Sequence, residues 1–351
     1  MRVLVTGASG FLGGHLVDAC VRESHQVRAL VRPTSDAARL RTVAGVELAH
    51  GDLCDAEALR RAAEGVDVVF HSAARVADHG TRAQFWEANV LGTERLLDAA
   101  SAAGTRRFVF VSSPSALMRT DEGDRLDIDE STPYPHRWLN LYSETKAVAE
   151  QRVRAANRPG FSTCALRPRG IWGPRDHSGF LPKLLARMLD GRLPDLSGGK
   201  RVLVSLCHCD NVVAACLLAA AAPADRVGGN AYFVADAERT DLWAFLAHLT
   251  DLFGGHPPTR RVPAPVRDAL VEAVELLWRF PPLATRREPP LSRYAMALLT
   301  RCATYDTGAA QRDFGYVPRM SQEAGLRQLA DWVVSTGGVK NFVRSVRGDG
   351  Q

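Results

Sequence analysis

Short apolar runs of three to five residues punctuate the first half of the chain, each followed by a longer stretch with helical periodicity. The runs are Val3–Val5, Val27–Val31, Val46–Leu48, Val66–Phe70, Phe108–Val111 and Thr163–Leu166. Runs this short read as buried strands, and the intervening stretches are long enough to be helices. Alternation of this kind predicts an α/β fold with a doubly wound parallel sheet. Parallel crossovers are right-handed and ligands lie beyond the carboxyl ends of the strands. Chemistry is therefore expected in the residues that follow the runs.

Beyond Pro174 the pattern loosens. Pro182, Pro194, Pro223, Pro257, Pro258, Pro263, Pro265, Pro281, Pro282, Pro289 and Pro290 interrupt shorter helical stretches. Residues 1–175 are thus expected to form the main domain, and 176–351 mainly a smaller, loop-rich lobe. Within that lobe, Val266, Ala269, Leu270, Ala273, Val274 and Leu277 recur at helical spacing, with Arg267, Glu272 and Glu275 opposite. Such a stripe either packs against the lobe or forms a greasy portal or membrane-surface contact for a lipid-like substrate. Trp278 and Arg279 at its end fit both readings.

With 351 residues the chain can bury a large core and carry a companion lobe. The formal charge of +5 comes from interspersed arginines and carboxylates without a basic block, so nucleic acid is not an expected partner. Seven scattered cysteines form no disulfide framework and point to a reducing, cytoplasmic setting. The strand at the very start leaves no room for a signal peptide, and no apolar run reaches the roughly 18 residues of a membrane span. Cys207-His208-Cys209 invites a metal reading. Strand alternation through Val202–Cys209 separates His208 from the cysteines, and no second ligand pair is spaced for zinc, so no metal is expected.

The most specific chemistry begins at Thr6. A β-branched strand runs into Gly7, Gly10 and Gly13 and then into a helical pattern. Glycines so placed allow a tight turn, close approach of backbone to a pyrophosphate, and close helix–strand packing. Phe11 and Leu12, opening the helix, join these glycines as candidate cofactor contacts. Further along, Tyr142 and Lys146 stand four residues apart in a helical stretch, which places them on one face about 6 Å apart. An ammonium beside a phenol is expected to lower its pKa from about 10 toward a value useful for proton transfer.

These features together bring a resemblance. Thr6-Gly7-x-x-Gly10-x-x-Gly13, Gly51-Asp52-Leu53, His71-Ser72-Ala73-Ala74, Asn89-Val90-x-Gly92-Thr93, Val111-Ser112-Ser113, Tyr142-x-x-x-Lys146 and Leu166-Arg167-Pro168 resemble, in order, the landmarks of the extended short-chain dehydrogenase/reductase family. Within it, Arg167–Pro174, Cys209–Val213, Tyr232–Ala235 and Pro289–Tyr294 look most like the 3β-hydroxysteroid dehydrogenase branch. That branch includes sterol dehydrogenases and bacterial reductases of 2-alkyl-3-ketoalkanoic acids. The resemblance implies a Rossmann domain and a substrate lobe whose strands near 202–207 and 232–234 return to the main domain.

It also implies roles. Tyr142 would be the general acid in ketone reduction and Lys146 would hold the nicotinamide ribose. Ser113 would donate a hydroxyl to the developing alkoxide, with Ser115 the second choice because Pro114 can re-aim the loop. Asp52 and Leu53 would lie near adenine, with Ala73, Ala74 and Ser112 along the cofactor. Asn89 would sit beneath the site, although a buried asparagine can equally serve backbone groups alone. Pro168 and Ile171 would border the nicotinamide.

Cofactor choice turns on the end of the second strand, where Leu30–Ser35 offers no carboxylate for ribose hydroxyls. Arg32 can instead meet a 2′-phosphate, which favours NADP, or it can stack on adenine in an NAD enzyme. The expected activity is interconversion of a ketone and a secondary alcohol on a bulky hydrophobic molecule such as a sterol, alkyl ketoacid or polyketide. A nucleotide-sugar epimerase or dehydratase is the alternative. A homodimer and a peripheral membrane contact are compatible partners.

Overall fold

The computed structural model describes all residues except 78, 178, 259, 279–291 and 348–351. Arg279, Pro281, Pro282, Pro289 and Pro290 from the sequence reading lie outside the described residues. The strands are β1 Arg2–Thr6, β2 Gln26–Val31, β3 Val46–His50, β4 Val68–His71, β5 Arg107–Val111, β6 Arg125–Ile128 and β7 Ser162–Pro168. They continue with β8 Ile171–Trp172, β9 Leu203–Ser205, β10 Cys207–His208, β11 Ala231–Val234, β12 Arg239–Asp241 and β13 Ala303–Tyr305.

Seven strands form one sheet in the order β11-β7-β5-β4-β1-β2-β3, every pairing parallel. All six apolar runs of the first half are in it. Their alternation sends side chains to opposite faces. Val3, Val5, Val68, Phe70, Val109 and Val111 pack on one face with the helices Phe11–Arg22 and Cys209–Ala221. Leu4, Val69, Phe108 and Phe110 pack on the other with Ala56–Ala63, Gly92–Ala102 and Leu141–Ala155. Helices on both faces explain why β5 is buried at every residue. The chain winds outward from β1 through β2 to β3, then returns to β4 on the other side of β1. That reversal opens a crevice between β1 and β4 at their carboxyl ends.

The second lobe has its own core, in which Trp172, Leu184, Leu185, Leu246 and Val333 are buried. Beside it lies a four-stranded sheet in the order β12-β9-β13-β6. β11 returns to the edge of the main sheet against β7. The segment 202–207 stays outside that sheet but touches the main domain, β10 pairing with β8 and Cys207 packing in the main core, while β9 pairs with β12 and β13.

One local expectation is corrected, and of two readings of the apolar stripe one is favoured. Cys209 is not in a strand but opens the helix Cys209–Ala221, so alternation does not extend to it. The stripe on the helix Ala264–Trp278 faces outward, with Val266, Leu270 and Leu277 each more than half exposed and Val271 its buried residue. Arg267 and Glu275 turn inward instead, Arg267 donating to the Leu196 carbonyl at 3.0 Å and Glu275 pairing with Arg293 at 2.8 Å. Periodicity identifies an apolar face but not the surface it meets.

Candidate active site

The crevice is built first from the turn after β1. Gly7 has φ +67°, a conformation that favours glycine, and a Cβ there would stand 3.0 Å from the Ala73 backbone. A Cβ on Gly13 would fall 2.0 Å from the Gly7 carbonyl oxygen, which is the helix–strand closeness the sequence anticipated. Gly10 caps the following helix without a side chain, leaving its first N–H groups directed at the crevice. This cradle fits a pyrophosphate.

At the end of β2, Arg32 is exposed and the chain turns, Ser35 N–H donating to the Arg32 carbonyl at 3.0 Å. Asp36 is spent on capping, accepting from Ala38 N–H at 2.9 Å. Asp52 accepts from Cys54 N–H at 3.0 Å, and Leu53 fits against Gly92, where a Cβ would approach to 2.7 Å.

Across the crevice, Ser113 follows β5 and caps a short turn. Its Oγ accepts from Ser115 N–H at 3.2 Å and from Ser115 Oγ at 2.9 Å, which leaves the Ser113 hydroxyl hydrogen free to donate. The Tyr142 phenol lies close enough to this serine pair for both hydroxyls to oppose the effect of burial on it. The helix Leu141–Ala155 carries the phenol and starts where Asn140 Oδ1 accepts from Ser143 N–H at 2.8 Å. Tyr294 lies edge-on to Tyr142, ring centroids 6.1 Å apart.

Tyr142, Lys146 and Glu150 share one buried helix face, but the expected electrostatics are different. The Lys146 ammonium turns to the end of β5, donating to the Val111 carbonyl at 2.6 Å and lying 4.3 Å over the Phe110 ring. Burial pushes the Tyr142 phenol up to about 12, only partly opposed by Ser113 and Ser115. The expectation that Lys146 lowers the phenol is therefore not met in this arrangement, because the ammonium is committed to a carbonyl. Burial brings Lys146 itself down to about 7, with Glu150 opposing.

Glu150 was missed by the sequence reading. It is fully buried with Arg167, their closest contact 2.5 Å, and Tyr134 donates to it at 2.5 Å. Burial raises its carboxyl, but the Arg167 charge and hydrogen bonds hold it below the ordinary range. Its position four residues past Lys146 was the available signal. Asn89 lies on a π-helical turn, Trp86–Leu91, donating to Thr145 Oγ1 at 3.0 Å and accepting from Arg75 N–H at 2.7 Å. Pro168 ends β7, and Ile171 pairs with Cys207 at the crevice mouth.

A narrow cleft starting at Pro114 is lined by Leu117, Met118, Ile128, Ala297 and Tyr305, with Glu122, Arg125, Arg169 and Arg301. The three arginines are engaged, Arg125 by the Glu122 carboxylate at 2.7 Å, Arg169 by the Ala303 carbonyl at 2.7 Å and Arg301 by the Thr120 carbonyl at 3.0 Å. Away from it, His15 closes on Cys209, Nε2 to Sγ 3.6 Å, with Asp210 alongside. Arg175 Nε stands 3.3 Å from that imidazole, so a guanidinium already supplies the positive charge there.

The description of the 3-beta hydroxysteroid dehydrogenase/isomerase family matches residues 4–264. The chain belongs to that family. It is 40% identical over 330 residues to the 4-hydroxy-2-methyl-3-oxo-4-farnesyl-3,4-dihydroquinoline-1-oxide ketoreductase of Stigmatella aurantiaca, covering 94% of this chain and 96% of that one. It is 39% identical over 332 residues to the 2-alkyl-3-oxoalkanoate reductase of Stenotrophomonas maltophilia, covering 94% and 98%. A third relative, 35% identical over 346 residues, is the 3 beta-hydroxysteroid dehydrogenase/Delta 5-->4-isomerase of Mycobacterium tuberculosis, covering 95% and 90%. Among solved structures, the dTDP-glucose 4,6-dehydratase DesIV of Streptomyces venezuelae with NAD and TYD bound superposes with TM-score 0.74 at 26% identity, covering 95% of this chain and 97% of that one. This family member is an oxidoreductase of the extended short-chain dehydrogenase/reductase type that interconverts a ketone and a secondary alcohol, and it depends on a nicotinamide cofactor.

Proposed function

We propose that this enzyme reduces a 3-keto group on a bulky hydrophobic molecule, such as a sterol, alkyl ketoacid or polyketide, with NADPH as reductant. The observation that carries this reading is the buried Tyr142 phenol beside the Ser113–Ser115 pair, with a narrow, apolar-surfaced cleft starting at Pro114 between those serines in sequence. A phenol held at about 12 is a proton donor throughout the neutral range. Bound nicotinamide supplies the hydride. Gly7, Gly10, Phe11, Leu12 and Gly13 hold the pyrophosphate, Asp52 and Leu53 border the adenine, and Ala73, Ala74, Ser112, Pro168 and Ile171 line the remaining length.

As the carbonyl oxygen gains charge, Ser113 donates to it and Tyr142 delivers the proton. Ser115 acts behind Ser113, its hydroxyl already committed to the Ser113 oxygen. Lys146 would hold the ribose hydroxyls of the bound cofactor, and Asn89 steadies the helix through Thr145. Ketone-dependent NADPH consumption, screened over alkyl 3-ketoacids, polycyclic ketones and nucleotide sugars, tests the assignment. The nucleotide-sugar alternative draws support from the dehydratase likeness. The cleft arginines, each already held by a carbonyl or a carboxylate, speak against a diphosphate there.

NADPH is favoured because Arg32 is exposed beside the crevice with no carboxylate partner among the described residues. A charge-assisted contact to a 2′-phosphate contributes about 1.5–3 kcal/mol, or about 10- to 100-fold. Arg32→Ala is expected to erase that preference and Arg32→Asp to reverse it, measured as the ratio of kcat/KM for NADPH and NADH. Unchanged discrimination in Arg32→Ala would show that another group reads the phosphate.

We place the reaction in the cytoplasm, in keeping with seven unbridged cysteines. No helix among the described residues is long and apolar enough to cross a membrane. The outward face of Ala264–Trp278 suits entry of an apolar substrate or a peripheral membrane contact. A homodimer is compatible with this reading.

A further inference from the structure

We propose that His71 is a positioning residue that keeps the cofactor turn and the catalytic helix in one register, through the hydrogen-bonded series Thr6–His71–Thr93–Asn89–Thr145. The inference rests on Tyr142 and Lys146 being the catalytic pair. Thr6 directly precedes the glycine turn, and Thr145 lies between Tyr142 and Lys146 on their helix. Two segments far apart in sequence are thereby joined through side chains and the single backbone carbonyl of Asn89.

The direction of every bond in the series is fixed. Thr93 Oγ1 donates its single hydrogen to the Asn89 carbonyl at 2.6 Å. It must therefore accept from His71 Nε2, 2.9 Å away, which puts the imidazole proton on Nε2. Nδ1 is then an acceptor, and Thr6 Oγ1 donates to it at 2.8 Å while itself accepting from Ala73 N–H at 3.2 Å. At the far end, Asn89 Nδ2 donates to Thr145 Oγ1 at 3.0 Å, whose hydroxyl donates to the Leu141 carbonyl at 2.8 Å. A second proton on the imidazole would set two hydrogens against each other at Thr6 and break the series.

The surroundings forbid that proton. His71 is fully buried against Phe108 and Phe110, and Phe110 also carries the Lys146 ammonium. Lys146 is the charged group that acts on the imidazole, and burial with that charge holds His71 down to about 3. The ring stays neutral beside the ammonium and functions as a rigid one-donor, one-acceptor spacer.

Thr93→Val tests the series while keeping side-chain shape, and Thr93→Ser restores the hydroxyl. In 15N spectra of the wild type, His71 should keep an unprotonated Nδ1 and a protonated Nε2 between about pH 5 and pH 9. In Thr93→Val, amide shifts should move at Ala73 and across Tyr142–Lys146, and return in Thr93→Ser. Ketone turnover should fall about tenfold in Thr93→Val with the cofactor KM within about twofold, and Thr93→Ser should recover it. A His71 ring that titrates or carries its proton on Nδ1, shifts confined to the neighbourhood of Thr93, or a turnover loss that serine fails to rescue would each overturn the proposal. If no ketone is turned over by the wild type, the functional reading falls, and the spectra still decide the series.

Discussion

Replacing Tyr142 with phenylalanine is expected to lower kcat for ketone reduction by about 10²- to 10⁴-fold, the usual contribution of a positioned general acid. The ring is retained, so the edge contact with Tyr294 and the packing of a nearly buried side chain survive. Only the proton donor is removed, along with its interaction with the Ser113–Ser115 pair. Cofactor affinity should accordingly stay within about twofold. Lys146→Ala should damage both turnover and cofactor binding, because its ammonium bridges from the helix to the end of β5. Steady-state turnover together with a fluorescence titration of the reduced cofactor separates the two effects. A near wild-type rate with Phe at 142 would remove the mechanism.

A second large effect is expected on stability. Arg167→Met leaves the Glu150 carboxylate without its countercharge in a site where the pair is 2% and 0% exposed. Breaking such a pair from one side costs about 3–5 kcal/mol. The pH dependence has a definite sign. In the wild type, Glu150 lies below its ordinary value, so its stabilisation is present above the unfolded-state value, about 4.5, and is lost as pH falls through the lower folded value. Without Arg167, burial raises the carboxyl instead, and the folded form prefers the proton. The deficit of Arg167→Met should be largest at neutral pH and shrink on acidification, as measured by denaturant unfolding at two pH values. A deficit below about 1 kcal/mol at neutral pH would mean that water or Tyr134 already satisfies the carboxylate.

The sheet was readable because its central parallel strands are buried on both faces and therefore appear as uninterrupted apolar runs, as Phe108–Val111 does. The glycine turn was readable because its requirements are steric: positive φ at Gly7 and no room for a Cβ at Gly13. What escaped depended on contacts between distant segments. Nothing local in Glu150 or Arg167 announces a buried ion pair, and nothing in Lys146 tells whether its ammonium faces the phenol or a carbonyl. The four-stranded sheet escaped because β6 and β13, some 175 residues apart, are each too short to carry a periodic signal. On Ala264–Trp278 the period was read correctly, yet its apolar side meets solvent while Arg267 and Glu275 are held inside.

The central claim is that the site carrying Tyr142 accepts a large apolar ketone. Its most direct test is the specificity constant for NADPH-dependent reduction across 3-ketoacids of increasing alkyl length, with a nucleotide sugar as the contrasting ligand. Each buried methylene contributes about 0.8 kcal/mol, so kcat/KM should climb by up to about fourfold per carbon until the cleft is filled. The nucleotide sugar should neither bind nor turn over. A specificity constant flat with chain length, together with micromolar binding of the nucleotide sugar, would contradict the claim and transfer the site to epimerase or dehydratase chemistry.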